Sequence, residues 1–309
     1  MKPWQYWGFR LALALAARLP RGLGYRLGAL GGELYFWANP GHSGKAVDNL
    51  AVMLADDPGA PRVRETARRV FRNYGKYLFD FFRLSSLDPD ALEEDVVIDG
   101  LEHLDAALAA GRGAIMVTGH FGLWDLAGTI LAARGYPASA LVDTFAPPAL
   151  DELVQRTRHR FGLGLVPVEQ PGSLRGVQRL LRRNQIAVVV LDRPQREGGV
   201  LVEFFGAPAW LPTGAARFAL RTGAPVVLGY LLRRPGDRTY YGVVEPPVAF
   251  APSGDAEADV AALTQAIVHR LERLLRAYPD QWYMFRRMWP DLPRDATGRP
   301  RRRRLMAER

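Results

Sequence analysis

The chain has no cysteine in its 309 residues. That excludes disulfide staples, thiolate nucleophiles and thiolate-held metal, and leaves the redox compartment open. H-E-x-x-H and comparable ligand spacings are also missing, so neither a metal nor another cofactor is inferred. The absence of a G-x-S-x-G nucleophile elbow argues against an ordinary serine hydrolase. Gly162 and Gly164 supply only a fragment of a dinucleotide fingerprint, and no phosphate-loop lysine follows a glycine turn. Long apolar runs are lacking as well: Leu11 to Ala17 is interrupted on both sides by Arg10 and Arg18 and is too short to span a bilayer. No internal repeat, zinc-finger spacing or aromatic single-strand module is present, so no nucleic-acid partner is expected.

What the chain does have is an apolar fraction of 48%, enough for one large core or two modest domains. Its 41 basic residues outnumber 32 acidic ones, and the formal charge of +9 favours phosphate-bearing partners such as anionic lipid or an acidic carrier. On one continuous helix, Arg10, Arg18 and Arg21 would fall within about 80° of each other. Trp4, Trp7, Phe9, Leu11 and Leu15 would supply bulky surface over much of the rest. This predicts a helix lying in an anionic interface, with an ordinary first helix packed on the domain as the alternative. A cleaved signal peptide is disfavoured, because no convincing small-x-small site precedes the polar segment.

Residues 44–84 read as helical. From Val96 onward the pattern changes to βα alternation: VVIDG, GAIMVTGH, YPASALVD, GLGLVPV, IAVVVLD and APVVLGYLL are short strands separated by helical segments. Such alternation predicts an α/β fold with a central, mostly parallel sheet flanked by helices and preceded by an amphipathic helical region. The expected organisation is a membrane-associating helical region over 1–95, a catalytic region over 96–290 ending in a helix near 255–277, and a basic, flexible tail over 291–309. A monomer is expected.

The most specific local feature is TGHFGLWD, Thr118 to Asp125, where a buried strand gives way to a helix. The carboxyl ends of parallel strands are where such folds display catalytic groups. His120 can accept a proton near neutrality, and Asp125, within reach across the junction, can fix its tautomer and stabilise the imidazolium. A helix-capping aspartate beside a loop histidine is the competing reading. His42, His103, His159 and His269 sit in settings that read as structural or merely exposed.

TGHFGLWD is similar to the H-x4-D/E signature of the glycerolipid and lipid A acyltransferase superfamily. Its surroundings look closest to the bacterial lipid A acyltransferases and the related phosphatidylinositol mannoside acyltransferases. Val188 to Val227, running from VVVLDRP through FFGAPA to TGAPVV, resembles that family's second block. Tyr278 to Pro290, YPDQWYMFRRMWP, resembles its closing aromatic segment, and Asn49-Leu50 and DELVQRTRHRFG fall in the expected order.

The resemblance implies a glycerolipid acyltransferase-like fold and a membrane-associated O-acyltransferase at the cytoplasmic face of the plasma membrane. His120 would act as general base on an acceptor hydroxyl that attacks the thioester of acyl-CoA or acyl carrier protein, with Asp125 orienting it. Aspartate at 125 and leucine at 123 lean toward the mannoside branch, whose acceptor is a glycolipid. A lipid A or lysophospholipid acyltransferase is the alternative, and a non-catalytic lipid-binding protein a further one. Arg158, then Arg156, are the candidates for stabilising the oxyanion or binding a phosphate, in a cluster that includes Arg160. Asp192, Arg193, Glu203, Phe204, Phe205, Gly206 and Thr213 are candidate substrate contacts. Phe121, Leu123, Trp124 and Trp210, with Phe204 and Phe205, are candidates for an acyl-chain channel.

Overall fold

A computed structural model describes residues 3–84, 86, 96–144, 148–159, 161–234, 240–290 and 292. The predicted basic tail lies outside the described residues, apart from Leu292, as does Arg160. Four helices open the chain: α1 (Pro3–Ala16), α2 (Arg21–Ala38), α3 (Pro40–Leu54) and α4 (Pro61–Leu84). They are followed by β1 (Val96–Asp99), α5 (Leu101–Ala109), β2 (Ala114–Thr118), α6 (Trp124–Ala133), β3 (Ala138–Val142), α7 (Pro148–His159), β4 (Gly164–Pro167) and α8 (Ser173–Arg182). The remainder is β5 (Ile186–Val190), β6 (Gly199–Phe204), β7 (Ala207–Pro212), α9 (Gly214–Thr222), β8 (Val226–Arg233), β9 (Tyr240–Val244) and α10 (Ala256–Ala277).

Seven strands form one sheet in the order β1-β9-β8-β2-β5-β3-β4, parallel except where β8 meets β9. The mixed α/β architecture with a central sheet and leading helices is therefore as expected. Its middle strands, AIMVT and IAVVV, are apolar because helices cover both faces, and β2 is buried at every position. The separate hairpin of β6 and β7 turns through Phe205 and Gly206, both at positive φ, in the two-residue geometry that matches strand twist. At the other end of the chain, the Asp255 carboxylate caps α10 by accepting from the backbone of Glu257 and Ala258.

The first helices differ from the single helix expected. α1 ends at Ala16 and α2 begins only after Pro20, so the three arginines do not share a face. Arg10 is exposed on α1, and Arg18 folds back onto the Ala14 carbonyl at 3.0 Å. Arg21 turns inward, donating to Tyr25 Oη at 3.0 Å and covering the Tyr240 ring. Trp7, Leu11 and Leu15 remain exposed, while Phe9 packs edge-on against Phe82. Trp4 belongs to α1, but its side chain lies outside what the structure describes.

α2 and α4 pack with their backbones in contact. A Cβ on Gly28 would lie 2.6 Å from the Gly75 carbonyl oxygen, and one on Gly75 would lie 1.9 Å from that of Gly28. Asp80 of α4 then ties the pair to the sheet: it accepts from Tyr25 and Tyr240 hydroxyls, each at 2.9 Å, and from the Arg233 guanidinium.

Candidate functional site

Strand register assembles the centre. β2 and β5 are parallel neighbours with Thr118 opposite Val190, and the ladder continues with Leu191 N–H donating to the Thr118 carbonyl at 3.0 Å. His120 and Asp192 each lie two residues beyond those partners, so they leave the sheet side by side at its carboxyl edge. His120 Nδ1 and Asp192 Oδ1 are 2.8 Å apart, and the His120 backbone N–H donates to Asp192 Oδ2 at 2.9 Å. Trp282 Nε1 donates to the same Oδ2 at 2.8 Å. An ionised carboxylate only accepts, so Nδ1 carries a proton and Nε2 is the basic ring nitrogen. Gly119 permits the arrangement, since a Cβ there would come within 3.0 Å of Asp192 Oδ2.

The expected pairing of His120 with Asp125 is thus replaced by one with Asp192. Asp125 instead accepts from Arg158 Nε at 2.7 Å and from the Tyr77 hydroxyl. The reason is direction: Asp125 sits in the first turn of α6 and faces α4 and α7, from which those two partners come. Burial opposes the Arg158 charge, yet Asp125 and Tyr77 hold its pKa above the ordinary arginine value. Burial, then the Asp125 charge, pushes the Tyr77 hydroxyl well above the usual tyrosine value. The Tyr77 ring stacks on Trp124 at 4.2 Å.

The closing aromatic segment holds the histidine loop from behind. Tyr283 N–H donates to the His120 carbonyl at 2.8 Å, and Gly122 N–H to that of Gln281 at 2.9 Å. Buried Asn49 fixes the segment in turn, donating to the Met284 and Arg286 carbonyls and accepting from Met288 N–H.

His120 lines a cavity of about 1240 Å³. Cavities for one drug-sized ligand run to about 1,000 Å³, so this one has room for a chain together with a polar head. Phe9, Leu78, Phe81, Val154 and Leu163 give it an apolar wall; Asp125, Arg158, Arg193, Arg217 and Arg221 give it charge. Thr118 also lines it, and its buried hydroxyl has no hydrogen-bond partner among the described residues.

Of the predicted site residues, His120, Trp124, Asp125, Arg158, Arg193 and Thr213 line this cavity, with Asp192 fully buried behind His120. Arg193 pairs with Asp143; the Thr213 hydroxyl donates to the Gly198 carbonyl at 3.0 Å and accepts from Arg217. The rest stand elsewhere. Arg156 points outward and pairs with Glu152. Phe121 and Leu123 are core, and Phe204 and Phe205 pack with Trp282 and Trp289 because the hairpin folds its aromatic end inward. Glu203 is exposed, its backbone engaged by Gln265; Gly206 is the exposed hairpin tip, and Trp210 is not part of the cavity wall.

Residues not singled out beforehand are Thr118 as a cavity hydroxyl, Tyr77 as a partner of Asp125, Trp282 as a donor to Asp192, and Arg217 and Arg221. Thr118, Trp282, Arg217 and Arg221 fall inside the segments that carry the family resemblance, which is the available signal, and Tyr77 lies outside them. Among the described residues, no group of histidine and carboxylate side chains has the arrangement of a metal site.

A histidine and a buried carboxylate at the carboxyl edge of an α/β sheet, opening on a large mixed cavity, form the candidate active site of an enzyme. The bacterial lipid A biosynthesis acyltransferase family matches residues 1–290, and the chain belongs to that family. It is similar to the phosphatidylinositol mannoside acyltransferase of Mycobacterium tuberculosis, 33% identical over 267 residues that cover 84% of this chain and 80% of the relative. The Mycolicibacterium smegmatis protein of the same name is 29% identical over 288 residues, covering 91% and 89%. A lipid A biosynthesis acyltransferase of Haemophilus influenzae is 27% identical over 293 residues, covering 91% and 87%. The chain is accordingly an acyltransferase that moves acyl groups from thioester donors to lipid substrates.

Proposed function

We propose that this enzyme acylates a hydroxyl of a glycolipid of the phosphatidylinositol mannoside type, with acyl-CoA or acyl carrier protein as donor. The carrying observation is the position of His120 on the cavity wall, its Nδ1 held by buried Asp192. In the proposed reaction, Nε2 takes the acceptor hydroxyl proton as the oxygen attacks the thioester carbonyl. The C–S bond then breaks, and the imidazolium returns the proton to the leaving thiolate, so no acyl-enzyme is needed. Thr118 Oγ1, which lacks a protein partner, is suited to a substrate oxygen. Arg193, Arg217 and Arg221 are suited to the phosphate groups of the donor or acceptor.

The acceptor would arrive from a membrane. Exposed Trp7, Leu11 and Leu15 on α1 and Leu23, Leu27, Leu30 and Leu34 on α2 give residues 1–95 an apolar surface, and Phe9 of α1 also lines the cavity. Among the described residues no helix is long and apolar enough to cross a membrane, which supports an interfacial attachment. On this reading residues 96–290 carry the chemistry, with α1 and α4 completing the cavity wall.

The test is incubation of the purified protein with radiolabelled acyl-CoA or acyl carrier protein and a panel of glycolipid, lysophospholipid and lipid A precursor acceptors, with mass-spectrometric identification of products. Acylated mannoside supports the reading. Acylation confined to lipid A precursors or lysolipids overturns the acceptor, and the absence of any thioester-dependent product overturns the mechanism.

A further inference from the structure

α2 exposes a single apolar stripe: Leu23, Leu27, Leu30, Leu34 and Trp37 recur every three or four residues and are 45% to 61% exposed. Beside it, a second cleft of about 560 Å³ runs along the surface where α2 meets α4, lined by Tyr25, Arg26, Leu30, Glu33, Arg72 and Lys76 together with Ala29. Leu30 belongs to both, so the cleft opens alongside the stripe. The one acid in it is already committed, since Glu33 accepts from Arg68 at 2.8 Å and from Trp37 Nε1 at 3.1 Å. Arg26 and Arg72 form no salt bridge among the described residues, and Lys76 Nζ reaches only the neutral Asn73 Oδ1, at 3.3 Å. Burial, with Arg233 and Arg72 nearby, lowers the Lys76 pKa and outweighs the Asp280 and Asp80 carboxylates, which act the other way.

We infer that the α2–α4 cleft holds the headgroup phosphate of an anionic phospholipid whose bilayer receives the α2 stripe, at a site separate from the cavity of His120. Arg26, Arg72 and Lys76 line a space whose one lining carboxylate among the described residues already accepts from Arg68 and Trp37, which calls for an anion. The leucines at its edge call for one delivered by a lipid surface. This rests on the membrane attachment proposed above, but its readout is independent of turnover. A missing acyl product would count against the proposed reaction without bearing on the cleft.

The experiment is flotation of the full chain with vesicles of phosphatidylcholine alone, or of phosphatidylcholine mixed with phosphatidylglycerol, and with inorganic phosphate as soluble competitor. Arg72→Gln/Lys76→Gln is compared with Arg175→Gln/Arg179→Gln, which removes the same charge from exposed positions on α8. The cleft pair should weaken the phosphatidylglycerol-dependent part of binding by roughly fivefold per charge removed, with binding to phosphatidylcholine retained. The α8 pair should have a smaller effect. Equal losses in the two pairs would mean diffuse surface charge and overturn the site. Release from the mixed vesicles by phosphate beyond that caused by a chloride salt of equal ionic strength is expected of a phosphate-binding cleft, and the same excess release in Arg72→Gln/Lys76→Gln would overturn the site. If the double variant fails to fold by circular dichroism, Arg72→Gln alone, at an exposed position, carries the same comparison.

Discussion

Asp192 holds His120 at two points, the ring Nδ1 and the backbone N–H, from a position with no solvent exposure. Its Oδ2 faces two fixed donors, His120 N–H and Trp282 Nε1–H. In Asp192→Asn the amide oxygen must meet those donors, which turns the NH2 group toward Nδ1 and drives the ring proton to Nε2. The base would then be in the wrong tautomer. Turnover should fall by roughly 100- to 10,000-fold, with the folded state retained. Asp125→Asn should lower it far less. Comparing kcat for the two variants decides which carboxylate serves the histidine, and a larger loss in Asp125→Asn would reverse the assignment.

The contrast between those carboxylates also marks how far the sequence could be read. The β2 and β5 apolar runs, the turn after Thr118 and the helix from Trp124 are local patterns, and all were legible. The neighbour relation of β2 and β5 is not local: 72 residues separate His120 from Asp192, so the carboxylate nearest in sequence looked like the partner. Asp192 is marked in the sequence as a candidate substrate contact within the block that resembles the family's second motif, not as a partner of His120. The same limit applies to Phe204 and Phe205: local sequence marks them only as aromatics beside a turn, whereas their packing against Trp282 and Trp289 is a long-range contact. Pro20, by contrast, was a visible break signal, and it accounts for the inward turn of Arg21.

Thr118→Val replaces a buried hydroxyl that has no protein partner with an apolar group of similar shape. Stability should be unchanged or slightly higher, because no hydrogen bond is lost on the protein side. If the hydroxyl serves substrate, kcat/KM should fall by about three- to tenfold, the worth of one hydrogen bond. Urea unfolding and steady-state kinetics on the same preparation separate the two effects. An unchanged kcat/KM would remove Thr118 from the substrate contacts.

Arg158 and Asp125 form a pair whose side chains are only 12% and 8% exposed. Arg158→Ala leaves the Asp125 carboxylate buried with the Tyr77 hydroxyl as its remaining partner. The expected cost is about 3 kcal/mol, at the lower end for breaking a buried pair. The double variant Asp125→Asn/Arg158→Ala should recover part of that loss, since no uncompensated charge remains. Urea unfolding of the single and double variants checks the non-additivity. A double variant as unstable as the sum of its parts would mean that the pair contributes packing alone.

Tyr74 and Tyr77 are among the tyrosines that make stability depend on alkaline pH. Burial, then Asp125, pushes the Tyr74 hydroxyl up to about 12, and Tyr77 is also held well above its ordinary value. Below the unfolded tyrosine value of about 10, both are neutral in either state and their contribution is fully present. Above it, the unfolded chain releases protons that the folded chain retains, so stability declines as pH rises toward the folded values. Tyr74→Phe should flatten that decline between pH values of about 10 and about 12. Urea unfolding across the interval tests the slope, and parallel curves for wild type and variant would exclude Tyr74 as a source.

Gly75 bears on whether the proposed membrane attachment depends on backbone contact between α2 and α4. An added methyl would overlap the Gly28 carbonyl at 1.9 Å, and that oxygen belongs to a helix backbone that cannot rotate aside. Gly75→Ala gains helix propensity on α4, yet the overlap must be relieved by moving α2 outward, at a net cost of about 1–3 kcal/mol. The displacement would also change the cleft beside Leu30, because Tyr25, Arg26 and Glu33 would move with α2 while Arg72 and Lys76 stayed on α4. A fall in thermal midpoint accompanied by weaker recovery on phosphatidylglycerol vesicles is therefore expected. If the midpoint fell but vesicle recovery held, the α2–α4 spacing would not govern attachment, and the leucine stripe alone would account for it.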